Sequence, residues 1–213
     1  MSDPTTLLEA RVRAATAMRR LNHAMVERSL DLELLDELAS TAERLVRAVE
    51  SQPERIHPFK GAANFSMPAP HERAAEPKNL FSDSIVSGRA NPMSMEASLW
   101  SDGDEAVMEV ELGAAFEGAP DRAHGGIMAA LIDELMGQVL GIVGTPAFTG
   151  RLTVTYRNPT PLGVPMIGRA RATEHKGRKI TMTAEMRAGD LLIAEAEALF
   201  ITVTPEQFTV GAG

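Results

Sequence analysis

Apolar positions recur along this chain at two different periods, and the change of period divides it. From the N-terminus, Leu7, Ala14, Met18, Leu21 and Met25 keep a 3-4 spacing interrupted at Arg11, and Leu35, Leu38, Ala42, Leu45 and Val49 repeat it. That spacing predicts two amphipathic helices joined near Ser29 to Asp31, either of which can cap the second helix. Two helices of this size cannot bury a core alone, so their apolar stripes should lie against the rest of the chain, a second copy or another protein. Prolines 53, 58, 68, 70 and 77 then punctuate a stretch without sustained period, which reads as a linker or wrapped arm. Beyond it the period falls to two. Met93 to Trp100 and Ala106 to Leu112 flank Ser101-Asp102-Gly103-Asp104, a hairpin signal, and Arg151 to Tyr156, Ile167 to His175, Ile180 to Met186 and Leu192 to Val203 read as further strands.

One run interrupts the strands. After His124-Gly125-Gly126 the chain is apolar except for Asp133, Glu134 and Gln138, until Gly141 and Gly144 break it, which predicts one buried helix. Strands on both sides of a single buried helix make an α+β architecture, with an antiparallel sheet of five or six strands against a central helix. The expected organisation is an N-terminal helical hairpin over 1–52, a Pro-rich linker over 53–80, the main domain over 81–204 and a tail over 205–213.

Composition narrows the function classes. The net charge of −8 argues against general nucleic-acid binding, which needs a basic surface. The absence of cysteine removes disulfides, thiolate catalysis and Cys-based metal sites, and suits a reducing cytoplasm. His57 and His71 have no partners at ligand spacing, so neither a metal nor a cofactor is expected. No signal-peptide core is present, and the long apolar run carries Asp133 and Glu134, so no membrane span is expected.

Candidate chemistry gathers on the central helix. Paired glycines weaken a helix interior but suit its first turn, where missing side chains let a ligand approach free N–H groups; the helix mouth is a candidate oxyanion or anion site. Asp133 is flanked by Leu131, Ile132, Leu135 and Met136 and lies on a stripe with Ala129, Ala130 and Gly137. Such a carboxylate is either hydrogen-bonded to a neighbouring strand or catalytic. Glu134 points about 100° away around the helix and ranks second. Eight residues separate Gly125 from Asp133, so at 1.5 Å per residue they lie about 12 Å apart on one helix, and one chain's Asp cannot readily serve its own helix mouth.

The run Phe116-Glu117-Gly118-Ala119-Pro120 leading to His124-Gly125-Gly126, with Asp133 nine positions after the His and Thr149 sixteen after the Asp, resembles the hotdog-fold acyl-CoA thioesterases of the phenylacetate type, and most of all thioesterase superfamily members four and five. Asn91-Pro92 and Tyr156-Arg157-Asn158-Pro159-Thr160-Pro161-Leu162 are similar to that family's segments, so the likeness covers roughly residues 80 to 204. It implies a sheet wrapped around the helix, hydrolysis of acyl-CoA in fatty acid metabolism, and a homodimer or dimer of dimers with sites shared between chains. By the same likeness Asp133 is base or nucleophile, Thr149 orients water or carboxylate, Gly125 supplies the oxyanion donor, and His124 is a binding or oxyanion-side residue. Gly126 and Glu134 are then substrate-side. Where many of the wider superfamily carry Asn or Gln, six residues before the His, this chain has Gly118; Glu117 is the neighbour that could substitute. Lys176, Arg178 and Lys179, at a hairpin tip near Arg169 and Arg171, are candidates for the phosphates of CoA, and Arg157 is a weaker one. The competing readings are a hotdog dehydratase or hydratase, and a catalytically silent acyl-CoA sensor or scaffold whose N-terminal helices hold a partner.

Overall fold

The computed structural model describes residues 4–55 and 81–204. Residues 56–80, which hold nearly all of the expected Pro-rich arm with His57 and His71, and the tail at 205–213 lie outside the described residues. Helix α1 spans Pro4–Glu27 and α2 Leu32–Glu50. Asp31 is the N-cap of α2, its carboxylate accepting the Leu34 N–H at 2.9 Å. After an irregular segment come β1 (Ser98–Asp102), β2 (Glu105–Glu111), a 3-10 turn (Ala114–Phe116), α3 (Gly125–Val143), β3 (Ala147–Tyr156), β4 (Pro165–Lys176), β5 (Lys179–Ala188) and β6 (Leu191–Thr202).

The six strands form one antiparallel sheet in the order β1-β2-β4-β5-β6-β3, which wraps α3 as the resemblance implied. One strand begins later than its periodicity suggests. Met95 and Ala97 donate their N–H groups to Ile85 and Val86 in the irregular segment, and Glu96 takes a left-handed φ of 56°, so pairing with β2 starts only at Ser98. β3 begins earlier than expected, at Ala147. Of the two glycines expected to break the central helix, Gly144 ends it, with φ 70°, while Gly141 stays helical.

By length and composition α3 could cross a bilayer. Its apolar surface is instead spent inside the chain: Met128, Leu131, Ile132, Leu135, Met136 and Val139 are fully buried against the sheet. On β4, under the helix, a Cβ at Gly168 would stand 2.7 Å from Leu135 Cδ2 and 2.3 Å from Met186 Sδ. Any side chain there would displace the ends of Leu135 and Met186.

α1 docks differently. Its apolar stripe does not face the domain; the side that does carries Arg11, Ala15, Arg19 and His23, at four-residue spacing. Arg19 is 3% exposed and donates to the carbonyls of Arg89 and Asn91 and to the Glu96 carboxylate. His23 sets its ring edge-on to Phe116 at 5.5 Å and accepts the Ala115 N–H. Asp83 receives Arg11 from α1 and Arg55 from beyond α2. α2 buries none of its residues.

Candidate active site

The site is built on α3 and β3, which run antiparallel so that the start of the helix meets the end of the strand. At the helix mouth His124 is the N-cap: its Nδ1 accepts the Gly126 N–H at 2.9 Å. That bond uses the donor of Gly126, which is therefore no longer offered to a substrate as the sequence reading had it. The Gly125 N–H has no acceptor among the described residues, as a helix's first N–H should when nothing caps it. Tyr156, the last residue of β3, gives its O–H to the Gly125 carbonyl at 2.9 Å and pins the first turn to the strand.

The loop that feeds the helix explains the missing Asn or Gln. A Cβ at Gly118 would lie 2.7 Å from the His124 Cα and 2.9 Å from its Cβ, so this loop has no room for any side chain there. Glu117 does not substitute. Its carboxylate accepts the N–H of Asp121, a residue in left-handed conformation at φ 63°, and closes the turn instead.

Two turns further along α3, Thr149 Oγ1 donates to Asp133 Oδ1 at 2.7 Å. Thr149 sits where the β3–β6 register slips, between Thr149 and Arg151, and such a bulge re-aims side chains. Asp133 stays half-buried on the part of the helix that the sheet does not cover, with Ala129, Ala130 and Gly137 around it; a Cβ at Gly137 would meet nothing within 4 Å. Helix periodicity also separates Asp133 from Glu134. Both carboxylate oxygens of Glu134 accept hydroxyls, from Ser84 and Ser87, so this residue ties the segment before β1 to α3 and is not available to substrate in this arrangement.

Of the cations, Arg157 is paired through Nε and Nη2 with Glu195 on β6, and its charge is spent there. Arg178 donates to the Thr202 carbonyl, while Lys176 and Lys179 pair across the β4–β5 turn. That turn lies at the Thr149 end of the sheet: Lys179 is opposite Ile201, which is opposite Phe148, so two strand spacings of about 4.8 Å separate them. The chain thus carries two candidate half-sites. His124, Gly125, Tyr156 and Arg157 gather at one end of α3, and Asp133, Thr149 and the cationic turn lie towards the other.

Sequence reasoning missed Tyr156 as a site residue and missed the Ser84–Glu134–Ser87 tether. Tyr156 heads the run noted for its family likeness; the tether leaves no periodic trace, because residues 81–97 form no regular element.

Residues 121–195, which contain both half-sites, match the family model described as the thioesterase superfamily. Acyl-coenzyme A thioesterase THEM4 of Xenopus laevis is 37% identical over 95 residues, 44% of this chain and 43% of that protein. Acyl-coenzyme A thioesterase THEM4 of Bos taurus is 28% identical over 124 residues, 56% of this chain and 51% of that one. The chain therefore spans about half the length of the curated relatives it matches. A solved thioesterase superfamily protein superposes with a TM-score of 0.72 at 24% identity over 90% of both chains, so the fold is shared along nearly the whole length. The likeness to the thioesterase superfamily thus spans residues 121–195, the stretch that holds His124, Gly125, Asp133 and Thr149.

Proposed function

We propose that the protein hydrolyses acyl-CoA thioesters to the free acid and CoA, as a homodimer or dimer of dimers whose sites form between chains. The observation that carries this reading is the Thr149–Asp133 hydrogen bond on the uncovered face of α3, on a helix whose first N–H is uncommitted. Thr149 satisfies Oδ1, which leaves Oδ2 to take a proton from water. The water oxygen attacks the thioester carbonyl, the developing oxyanion accepts the Gly125 N–H, and collapse expels the CoA thiolate, which leaves as the thiol after taking up a proton.

About 12 Å of helix lies between Gly125 and Asp133 of one chain, so the two act together only across a subunit boundary. Two features support that arrangement. Among the described residues β3 pairs only with β6, leaving an exposed ten-residue edge, and the small-residue face of α3 is open. A two-fold axis beside β3 lays the two α3 helices antiparallel and brings Asp133 of one to Gly125 of the other. The cationic turn lies on the Asp133 side, where the phosphates of CoA would meet Lys176, Arg178 and Lys179. The likeness to acyl-coenzyme A thioesterases supports a place in fatty acid metabolism, and the absence of cysteine supports a cytoplasmic setting.

Release of CoA can be followed with a thiol reagent without background, since the chain has no cysteine. Asp133→Asn should lower kcat at least about 100-fold with little change in KM. Gly125→Pro removes the oxyanion N–H at a helix position that tolerates proline. Mixing the two inactive chains should restore activity, towards roughly half the normal value per mixed dimer. No return of activity after confirmed subunit exchange rejects the shared site; no turnover on a broad acyl-CoA panel with binding intact points to the sensor reading.

A further inference from the structure

Of the twenty large apolar side chains exposed among the described residues, twelve belong to α1 and α2. These include the stripe positions Leu7, Met18, Leu21 and Met25 of α1, and α2 leaves every residue unburied, Leu35, Leu45 and Val49 among them. At roughly 80 Å² each, the six on each helix present about 500 Å², and the two stripes together present about what each partner of a stable dimer gives up. The stripe of α1 is free because polar contacts of Arg11, at the gap in the stripe, and of Arg19 and His23, beside it, hold α1 to the domain along the adjacent side. Docking has fixed α1 in place without using its apolar surface.

The charges beside the two stripes differ in sign. α1 carries Arg11, Arg13, Arg19 and Arg20 against Glu9 and Glu27, and the exposed Arg13 and Arg20 border its stripe on the side away from the domain. α2 carries Glu33, Asp36, Glu37, Glu43 and Glu50 against Arg44 and Arg47, and on the helical wheel Asp36, Glu43 and Glu50 border its stripe. A basic-edged helix and an acidic-edged helix on one chain are complementary to the same pair, turned by a two-fold axis, on another.

We propose that the N-terminal helices are an interface with a second copy of this chain, the apolar stripe of α1 lying on the partner's α2 and the stripe of α2 on the partner's α1. The two contacts are identical and self-complementary, so the assembly closes without leaving either stripe exposed. The acidic border of α2 disfavours the alternative of an anionic lipid surface. Nothing in this inference depends on the hydrolytic reading, because no residue of either helix belongs to the half-sites on α3 and β3.

The cysteine-free chain makes the test direct. Full-length Met18→Cys and Leu45→Cys proteins, one enlarged by a tag, are mixed, allowed to exchange subunits and treated with a short bis-maleimide. The expected result is a covalent product of one large and one small chain, several-fold more abundant than like-with-like products. Separately, Leu35→Glu with Val49→Glu, at positions that touch no core, should weaken association at least about 10-fold by sedimentation while the circular dichroism spectrum is kept. Arg13→Glu with Arg20→Glu should weaken it less and be rescued by Asp36→Lys with Glu43→Lys in the partner. Absence of the mixed product, or an unchanged association constant in the Leu35/Val49 variant, overturns the proposal. Loss of flotation with phosphatidylcholine vesicles in that variant, without loss of association, would do so too and favour a lipid surface.

Discussion

α3 and α1 are both helices with an apolar stripe, yet they attach to the sheet side of the molecule by opposite means. α3 gives the sheet its apolar side chains and leaves Asp133 on the uncovered face. α1 gives the domain two arginines and a histidine and leaves its apolar side chains in solvent. The difference lies in what each helix meets. The inner face of the sheet is continuous and apolar, with Met108, Met166, Ile180, Met182 and Met186 fully buried. The segment 81–97 is irregular backbone whose carbonyls lack strand partners, and the buried Arg19 guanidinium satisfies two of them at once. Periodicity therefore reports that a helix is amphipathic, while the chemistry of the docking surface decides which side is used.

Leu135→Ala is the strongest challenge to that comparison. It removes a fully buried side chain that packs over Gly168 of β4 and should destabilise the domain by about 2–5 kcal/mol in urea unfolding. Arg19→Met should be milder, about 1–3 kcal/mol, through the Arg89 carbonyl and the Glu96 carboxylate left without their hydrogen bonds, with the effect confined to α1 and the 81–97 segment in hydrogen exchange. If Arg19→Met proved as damaging as Leu135→Ala, α1 would have to count as part of the core. The smallest effect is expected from pH. Burial works to raise the pKa of Asp83, but hydrogen bonds from Arg55 and Arg11 and their charges outweigh it and hold the carboxyl below its ordinary 3.8. A depressed carboxyl contributes stability that is complete above the unfolded value and is lost as pH falls through the folded one. Attachment of α1 should therefore hold down to about pH 4 and loosen below it. Asp83→Asn should abolish that acid sensitivity, as read by exchange at the Arg11 and Ser84 amides. Retention of the same acid transition in Asp83→Asn would assign it to another group.

The tether through Glu134 links the two regions. Ser84 and Ser87 bind Glu134, the residue next to Asp133, and Asp83, beside Ser84, binds Arg11 of α1. Glu134→Gln should consequently cost far less turnover than Asp133→Asn, while loosening the segment 81–97.

Local chemistry was enough to read much of the molecule from the sequence. Alternation at period two marks β2 and β4 to β6, the apolar run closed by Gly144 marks α3, and His124-Gly125-Gly126 marks its mouth, because each depends on neighbours within a few residues. The relation of Asp133 to Thr149 entered only through family likeness, since the sixteen positions from one to the other cross a helix end and a turn. Tertiary structure alone decided the rest. Gly118 excludes a side chain because His124 packs on it, Glu134 is claimed by serines about fifty residues away, Arg157 is neutralised by Glu195, and α1 turns its apolar stripe outward. Each of these depends on which surface a residue meets after the chain has folded, and one-dimensional spacing carries no record of that surface.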